Sequence, residues 1–437
     1  MQTIQQLQSG ELKGSIQIQL SCGLSKFPTE LFDLVDTLEI LDLSCNELTE
    51  LPSDFGRFKK LKIAFFSDNK FTVLPKVLAD CPSLTMIGFR SNQIVVFPEN
   101  SIPLQTQWLV LTNNQIEILP KSLGECLYLQ KVAFAGNKIK ELPVEMENCK
   151  RLELLRISAN QLETLPEWLL NLPRLSWLAF SGNPCSQIPQ NNLELIEMEW
   201  NELEIQEQLG EGASGIISKA IWNSTSIKEV AVKIFKGEVT SDGFPEDELT
   251  NCIAAGFHSN LVPLIAEIKN HSEGKMGIVM ELISSDYTNL GNPPSFETCT
   301  RDVFPESVRF TFSQVVSISK CISSAMEHLH NQGILHGDLY AHNTMTNPDG
   351  RALLGDFGAA TRYDRNTIFS KLLEKLDVRA FGCLLEDLLI RIEVADLEVV
   401  KYDLLNNLKD SCLDPLSIKR PDFKKINLIL NALTTNT

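Results

Sequence analysis

A period of 23 residues runs through the first half of the chain and limits what that half can become. The segment LEILDLSCNELTELP, from Leu38 to Pro52, returns as LKIAFFSDNKFTVLP, LTMIGFRSNQIVVFP, LVLTNNQIEILP, LQKVAFAGNKIKELP, LELLRISANQLETLP and LSWLAFSGNPCSQIP. Its asparagine falls at Asn46, Asn69, Asn92, Asn114, Asn137, Asn160 and Asn183, at spacings of 23, 23, 22, 23, 23 and 23. A degenerate unit ends at Pro28, without the asparagine and with a loop about one residue shorter. Alternating apolar residues such as Leu41 and Leu43 are expected to point inward from a short strand. The asparagine side chain is placed to bond backbone groups where the chain turns away, Leu48 and Leu51 to fill the interior, and Pro52 to open the returning segment. One unit cannot bury its own apolar face, so the units must stack into a solenoid.

The pattern resembles the leucine-rich repeat, over roughly residues 14 to 190. The resemblance implies an α/β solenoid over residues 1–195, with about seven regular repeats of 22–23 residues and a degenerate first one. Strand positions between the leucines, among them Phe65, Met86, Arg90, Trp108, Arg156 and Trp177, are expected on the concave face. Exposed aromatics and arginines suit a protein partner. The eleven cysteines stand singly, with no CxxC pair. They read as buried reduced thiols, Cys45 in LDLSCNEL included, and as those of a cytoplasmic protein. Cys126 and Cys149 fall at equivalent repeat positions and read as packing residues.

The period stops after Pro189. Residues 1–195 carry 17 basic and 21 acidic residues and the remainder 22 and 35, so most of the net charge of -17 belongs to a different second half. A field of that sign repels phosphate backbones, and the Arg57, Lys59, Lys60 and Lys62 group is the longest basic run, so no nucleic-acid partner is expected. MQTIQQLQSGELKG has no signal-peptide pattern, and no run of about 18 apolar residues reads as a membrane span.

The second half opens with LEIQEQLGEGASGIISKAIW. Gly210, Gly212 and Gly215 form GxGxxG, which alone fits either a dinucleotide fold or a phosphate-covering hairpin. Here β-branched, alternating residues follow the third glycine and lead to Glu229-Val-Ala-Val-Lys233, a second strand carrying a lysine. HGDLYAHN then sets His336, Asp338 and Asn343 at the spacing H-x-D-L-x-x-x-N, and Asp356-Phe357-Gly358 follows 13 residues beyond Asn343. Asp377-Val-Arg-Ala-Phe-Gly382 and Arg420-Pro421 complete the order. The set resembles a protein kinase. The whole chain resembles cytosolic leucine-rich-repeat protein kinases of bacterial type, with an α+β bilobal domain at 200–437 (N-lobe 200–282, C-lobe 283–437).

The resemblance implies an ATP- and magnesium-dependent kinase, with serine/threonine preference, acting on a protein substrate. Gly210, Gly212 and Gly215 would cover the ATP phosphates, with Leu209, Ile217 and Ala231 among the nucleotide-binding positions. Lys233 would hold the α- and β-phosphates. Its carboxylate partner would be Glu248, with Glu246 and Asp247 as rivals. Met280 would back the adenine pocket, and Glu281 and Ile283 would offer backbone groups to adenine. Asn343 and Asp356 would bind Mg2+, and Asp338 would accept the substrate proton.

Departures accompany the match. Tyr340 stands where serine/threonine kinases keep a lysine, and His342 where tyrosine kinases keep an arginine. A neutral histidine there would supply only a hydrogen bond. Gly337 replaces the arginine that commonly receives an activation-loop phosphate. Asp356 to Asp377 spans only 21 residues without A-P-E, and Asp377 to Arg420 only 43. Asp377 is expected to start the large central helix, and Thr361, Tyr363 and Thr367 to be exposed loop residues. His328 and His330, at i and i+2 of a helical run Val315–His330, do not share a face and are not a metal pair. Two further readings are an ATP-binding scaffold and a kinase of small molecules.

Overall fold

The computed structural model describes residues 2–186, 196–212, 214–223, 227–237, 239–240, 242–393 and 399–433. Pro189, where the period ends, and the 195/200 boundary's left edge lie outside them. The chain divides into two compact units, Met1–Arg174 with Asn183–Cys185, and Leu175–Gly182 with Ser186–Thr437.

In the first unit a short helix α1 (Ile4–Gln8) precedes the repeats, each of which gives a strand of three residues: β1 (Gln17–Gln19), β2 (Ile40–Asp42), β3 (Ile63–Phe65), β4 (Met86–Gly88), β5 (Trp108–Val110), β6 (Lys131–Ala133) and β7 (Leu154–Arg156). They pair in parallel and in chain order, Ile18 against Leu41 and onward to Val132 against Leu155. These central residues are fully buried, because a strand alternates its faces and only one can point into the stack. Short 3-10 helices such as Lys76–Asp80 and Val144–Asn148 bring the chain back, each just after a proline. A column of rings fills the early interior: Phe55, Phe58, Phe66, Phe71 and Phe89 stand 4.9–6.1 Å from ring to ring.

The recurrent asparagines form a ladder. Asn137 donates from Nδ2 to the Leu111 and Phe134 carbonyls, both at 2.9 Å, and its oxygen accepts the Ile116 N–H at 3.0 Å. The Leu111 carbonyl also accepts from Asn114, and that of Phe134 from Asn160. Each carbonyl at the bend is thereby shared by consecutive repeats, so the turn that ends a strand is hydrogen-bonded without water. The residue before each of these asparagines takes the left-handed conformation, from Cys45 (φ 58°) through Asp68, Ser91, Asn113, Gly136 and Ala159 to Gly182 (φ 69°). Only two are glycines, so repetition of the bend overrides the steric preference.

That bend corrects the reading of Cys45, whose side chain is turned to solvent; Cys22 is exposed as well. Cys126 and Cys149 are buried packing residues, and burial pushes their thiols up to about 11 and about 12. Labelling the native protein with a disulfide reagent is expected to consume Cys22 and Cys45 first, with Cys81, Cys126 and Cys149 reacting only on unfolding. Equal rates at all five would contradict this packing. Of the proposed concave-face residues, Phe65, Arg90 and Trp108 are partly exposed, whereas Met86, Arg156 and Trp177 are buried.

The second unit is bilobal. Its upper sheet runs in the order β10 (Leu203–Glu211), β11 (Gly215–Asn223), β12 (Ile227–Phe235), β14 (Gly277–Glu281), β13 (Leu264–Lys269) and β9 (Glu197–Glu199). The segment Leu175–Gly182, with the strand β8 (Trp177–Ala179), belongs to this unit. On β12, Val230 and Val232 face an apolar core with Leu203, Ala220, Ala266, Ile268 and Val279. Alternation therefore turns Ala231, Lys233 and Phe235 to the other face, where Phe235 packs with Leu249 of helix α2 (Pro245–Ala255).

The lower lobe is helical: α3 (Phe312–Asn331), α4 (Ile368–Leu389), α5 (Val399–Cys412) and α6 (Phe423–Ala432). Short strands carry the site's loops: β15 (Thr288–Asn289), β17 (Thr344–Thr346) and β18 (Ala352–Leu354) form one sheet, β16 (Ile334–Leu335) and β19 (Thr361–Arg362) another. α4 starts at Ile368, where Thr367 accepts the Ser370 N–H as its cap. Asp377 thus lies within this helix, not at its start, because that cap begins it earlier. Among the described residues no helix is long and apolar enough to cross a membrane.

Candidate active site

Lys233 is a buried cation on β12, 5% exposed. Its Nζ lies 2.6 Å from Glu248 Oε1 and 3.7 Å from Asp356. Burial opposes its charge, but Asp356 and Glu248 outweigh that and raise its pKa. Glu248 is reached because α2 starts with a proline at its first turn and packs Leu249 on Phe235. Of the rivals, Glu246 is exposed. Asp247 faces elsewhere: burial first, then the Glu246 charge, pushes its carboxyl up to about 6, with a Ser181 hydrogen bond pulling the other way.

The strand register gathers the remaining upper-lobe positions. Gly210 pairs with Ile217, Ile217 with Lys233, and Ala231 with Met280. Leu209 is half exposed at the end of β10, and the Gly212 N–H donates to the Gly215 carbonyl to close the hairpin. Side chains added at Gly210 or Gly212 would meet nothing within 4 Å, while one at Gly215 would strike the Ile234 carbonyl at 2.7 Å. Glu281 ends β14 and donates its N–H to the Pro263 carbonyl at 3.0 Å; Ile283 is half-buried just beyond.

In the lower lobe Asn343 donates from Nδ2 to Asp338, at 2.7 Å to Oδ2 and 3.0 Å to the carbonyl. This fixes the Asp338 carboxylate and leaves the Asn343 amide oxygen pointing the other way. The Asn343 backbone carbonyl accepts the Gly355 N–H, which ties the loop to Asp356. Desolvation within the cleft pushes the Asp356 carboxyl up even though its side chain is 45% exposed, but Lys233, the Gly358 N–H, His336 and His342 hold its pKa below the usual range. Its backbone is left-handed (φ 55°). Phe357 is buried against the His336 ring.

Asp377 is fully buried and holds this loop from beneath. It accepts the N–H groups of His336 (2.9 Å) and Gly337 (3.0 Å) and bonds His330 Nε2 at 3.0 Å. His336 Nδ1 accepts the Asp338 N–H, so the tautomer inferred carries its proton on Nε2, which donates to the Gly355 carbonyl. His328 instead bonds the Ala255 carbonyl and stacks on His258, so the two histidines of α3 serve different partners.

Asp302 is the residue that sequence reasoning passed over. It lies in the aperiodic Ser284–Phe304 segment, where it accepts the Ala341 N–H at 2.7 Å and bonds His342 Nδ1 at 2.6 Å. Burial lowers the His342 pKa, but the Asp302 hydrogen bond and the charges of Asp338, Asp302 and Asp356 raise it overall. The Asp302 contact thus favours the charged form of His342. Arg301 beside it pairs with Asp387 at 2.9 Å and Glu386 at 3.2 Å. Arg420, 2% exposed, donates to the Lys375 and Asp414 carbonyls.

Of the activation-segment hydroxyls expected to be exposed, Thr367 is, and Thr361 and Tyr363 are not. Thr361 is fully buried, and Tyr363 is 7% exposed with its hydroxyl donating to Glu374 at 2.8 Å. Thr367 is spent on the α4 cap. β19 pairs with β16, Thr361 opposite Leu335, which turns Thr361 inward.

Comparison with known proteins agrees with this geometry. The protein kinase domain family matches residues 203–396 and the leucine rich repeat family residues 25–94. A probable cyclin-dependent serine/threonine-protein kinase of Dictyostelium discoideum is 30% identical over 177 residues, 40% of this chain and 26% of its own length. The probable serine/threonine-protein kinase gdt4 of the same organism is 32% identical over 165 residues, 37% of this chain and 9% of its own. The serine/threonine-protein kinase PITSLRE of Drosophila melanogaster is 29% identical over 164 residues, 37% and 16%. The chain thus spans about a quarter or less of the length of these relatives, and they lend no support to a bacterial type. By these matches the chain carries a leucine rich repeat segment followed by a protein kinase domain.

Proposed function

We propose that the chain is an ATP- and magnesium-dependent protein kinase of the cytoplasm that phosphorylates serine or threonine, its repeats (1–195) selecting protein partners for a kinase domain at 200–437. One observation carries the reading: the closed Lys233–Glu248 pair with Asp356 at 3.7 Å, beside an Asp338 carboxylate oriented by Asn343. Such an assembly is costly to bury and has a use in aligning phosphates.

In this reading Lys233 holds the α- and β-phosphates, under the hairpin of Gly210, Gly212 and Gly215. Leu209, Ile217, Ala231 and Met280 enclose adenine, and Glu281 and Ile283 meet its edge. The charged Asp356 carboxylate and the Asn343 amide oxygen are hard donors that fit Mg2+, which with ATP phosphates takes one or two such groups. When bound, the ion supplies neutralisation of phosphate charge. Asp338 orients the substrate hydroxyl and takes its proton as that oxygen bonds the γ-phosphorus and the bond to the ADP oxygen breaks. His342, biased toward imidazolium by Asp302, places positive charge near the base where lysine and arginine are missing.

A second reading, a scaffold that holds ATP or a kinase of small molecules, draws on the buried Tyr340 and Thr361. Titration with ATP and Mg2+ tests the nucleotide site. Lys233→Ala is expected to weaken binding about tenfold through loss of a charge-assisted contact. Unchanged affinity would remove Lys233 from the site.

A further inference from the structure

The segment Leu175–Gly182 touches three catalytic elements at once. Trp177, 2% exposed, donates its indole N–H to the Leu339 carbonyl at 3.0 Å and stacks on Tyr340, ring centroids 4.3 Å apart and planes within 9°. These two residues follow Asp338 directly. The Phe180 N–H donates to Thr361 Oγ1 in the activation segment at 3.3 Å. A side chain on Gly182 would lie 2.8 Å from both Asp247 and the Phe244 ring, at the start of α2.

Gly337 shows how closely the segment is seated. It is left-handed (φ 70°), and a Cβ there would stand 2.3 Å from the Leu178 carbonyl oxygen and 3.0 Å from that of Ala359. No side chain fits, because both obstacles are backbone. The missing arginine thus has a physical cause: the Leu178 backbone occupies the space through which its side chain would leave. From α2 a further strut reaches the activation segment, Asn251 Nδ2 donating to the Ala360 carbonyl at 2.5 Å.

We propose that Leu175–Gly182 is a built-in activating clamp, which holds the Asp338 loop, the activation segment and α2 in the catalytic arrangement that other kinases reach by phosphorylating that segment. This inference rests on the kinase reading. Its direction follows from what is assembled beneath the clamp: Lys233 meets Glu248 at 2.6 Å and Asn343 meets Asp338 at 2.7 Å while the segment is seated. A cap that switched the enzyme off would be expected to separate these groups. Thr361 and Tyr363 are buried, and the exposed Thr367 accepts the Ser370 N–H as the α4 cap, so the segment is held here by packed contacts, the clamp foremost.

The test uses the full chain with Trp177→Ala and Trp177→Phe, measuring phosphoryl transfer and amide hydrogen exchange. Trp177→Ala is expected to lower kcat at least about tenfold with KM for ATP within about threefold, and to speed exchange across 337–343 and 357–363 while β12 stays protected. Trp177→Phe keeps the ring stack and is expected to recover most of kcat. A rate in Trp177→Ala equal to or above wild type overturns the clamp, the higher rate marking an inhibitory cap instead. Loss of activity with unchanged exchange in both loops, or with β12 also deprotected, overturns it too. Should wild type transfer no phosphate, the kinase reading fails by itself, and faster exchange confined to those loops still decides for or against the clamp.

Discussion

Asp338→Ala is expected to lower phosphoryl transfer by about 10² to 10⁴, the usual weight of a positioned general base, and to leave ATP affinity nearly unchanged. The separation follows from geometry. Asp338 is held by Asn343 in the lower lobe, whereas the charges proposed to meet ATP, Lys233 and Asp356, form their own contact at 3.7 Å. Removing the carboxylate frees the Asn343 amide and leaves the buried Lys233–Glu248 pair in place, so the protein should fold. Asn343→Ala should differ, because it removes both the strut on Asp338 and a proposed metal ligand; there the requirement for Mg2+ should rise as kcat falls. Parallel steady-state kinetics at several metal concentrations would check both. An Asp338→Ala enzyme within threefold of wild type would remove Asp338 as the base.

The second large effect is on stability. Asn137→Ala should cost about 3 kcal/mol, since it orphans the buried Ile116 N–H and opens a small void, while the Leu111 and Phe134 carbonyls each keep a second asparagine. That sharing sets the size: one missing rung leaves one donor unpaired, not three groups. Asn148→Ala, on an exposed position of a returning segment, should fall within about 0.5 kcal/mol of wild type. Urea unfolding followed by a probe in the repeats would compare them. Equal midpoints would show that the ladder is ornamental and that leucine packing alone sets the stack.

Much of this was legible in the sequence, and the reasons are local. Asn46 to Asn183 recur because one bend is made again and again, so the period announces both the strand and its turn. The motif glycines, Lys233, Asp338, Asn343 and Asp356 are readable because they stand at motif spacings, and the fold brings Lys233 to Asp356 and Asn343 to Asp338. What stayed hidden depends on distant partners. Trp177 fits the repeat pattern as well as Trp108 does, and nothing in LSWLAFSGN says that its ring lies on Tyr340. Asp302 sits in an aperiodic stretch, and its claim on His342 and Ala341 exists only once the chain is folded. The left-handed residue before each asparagine is hidden because cysteine, aspartate, serine, asparagine, glycine and alanine all occupy it. Gly337 was visible as a missing arginine, but the Leu178 carbonyl that excludes a side chain was not.

The central claim is catalysis, and the most direct measurement is transfer of labelled γ-phosphate from ATP, with Mg2+, to a generic protein substrate, followed by identification of the labelled amino acid. The account expects phosphoserine or phosphothreonine from the wild-type chain, none without the divalent metal, and almost none from Asp338→Ala. A wild-type chain that binds ATP yet labels no serine or threonine would contradict it.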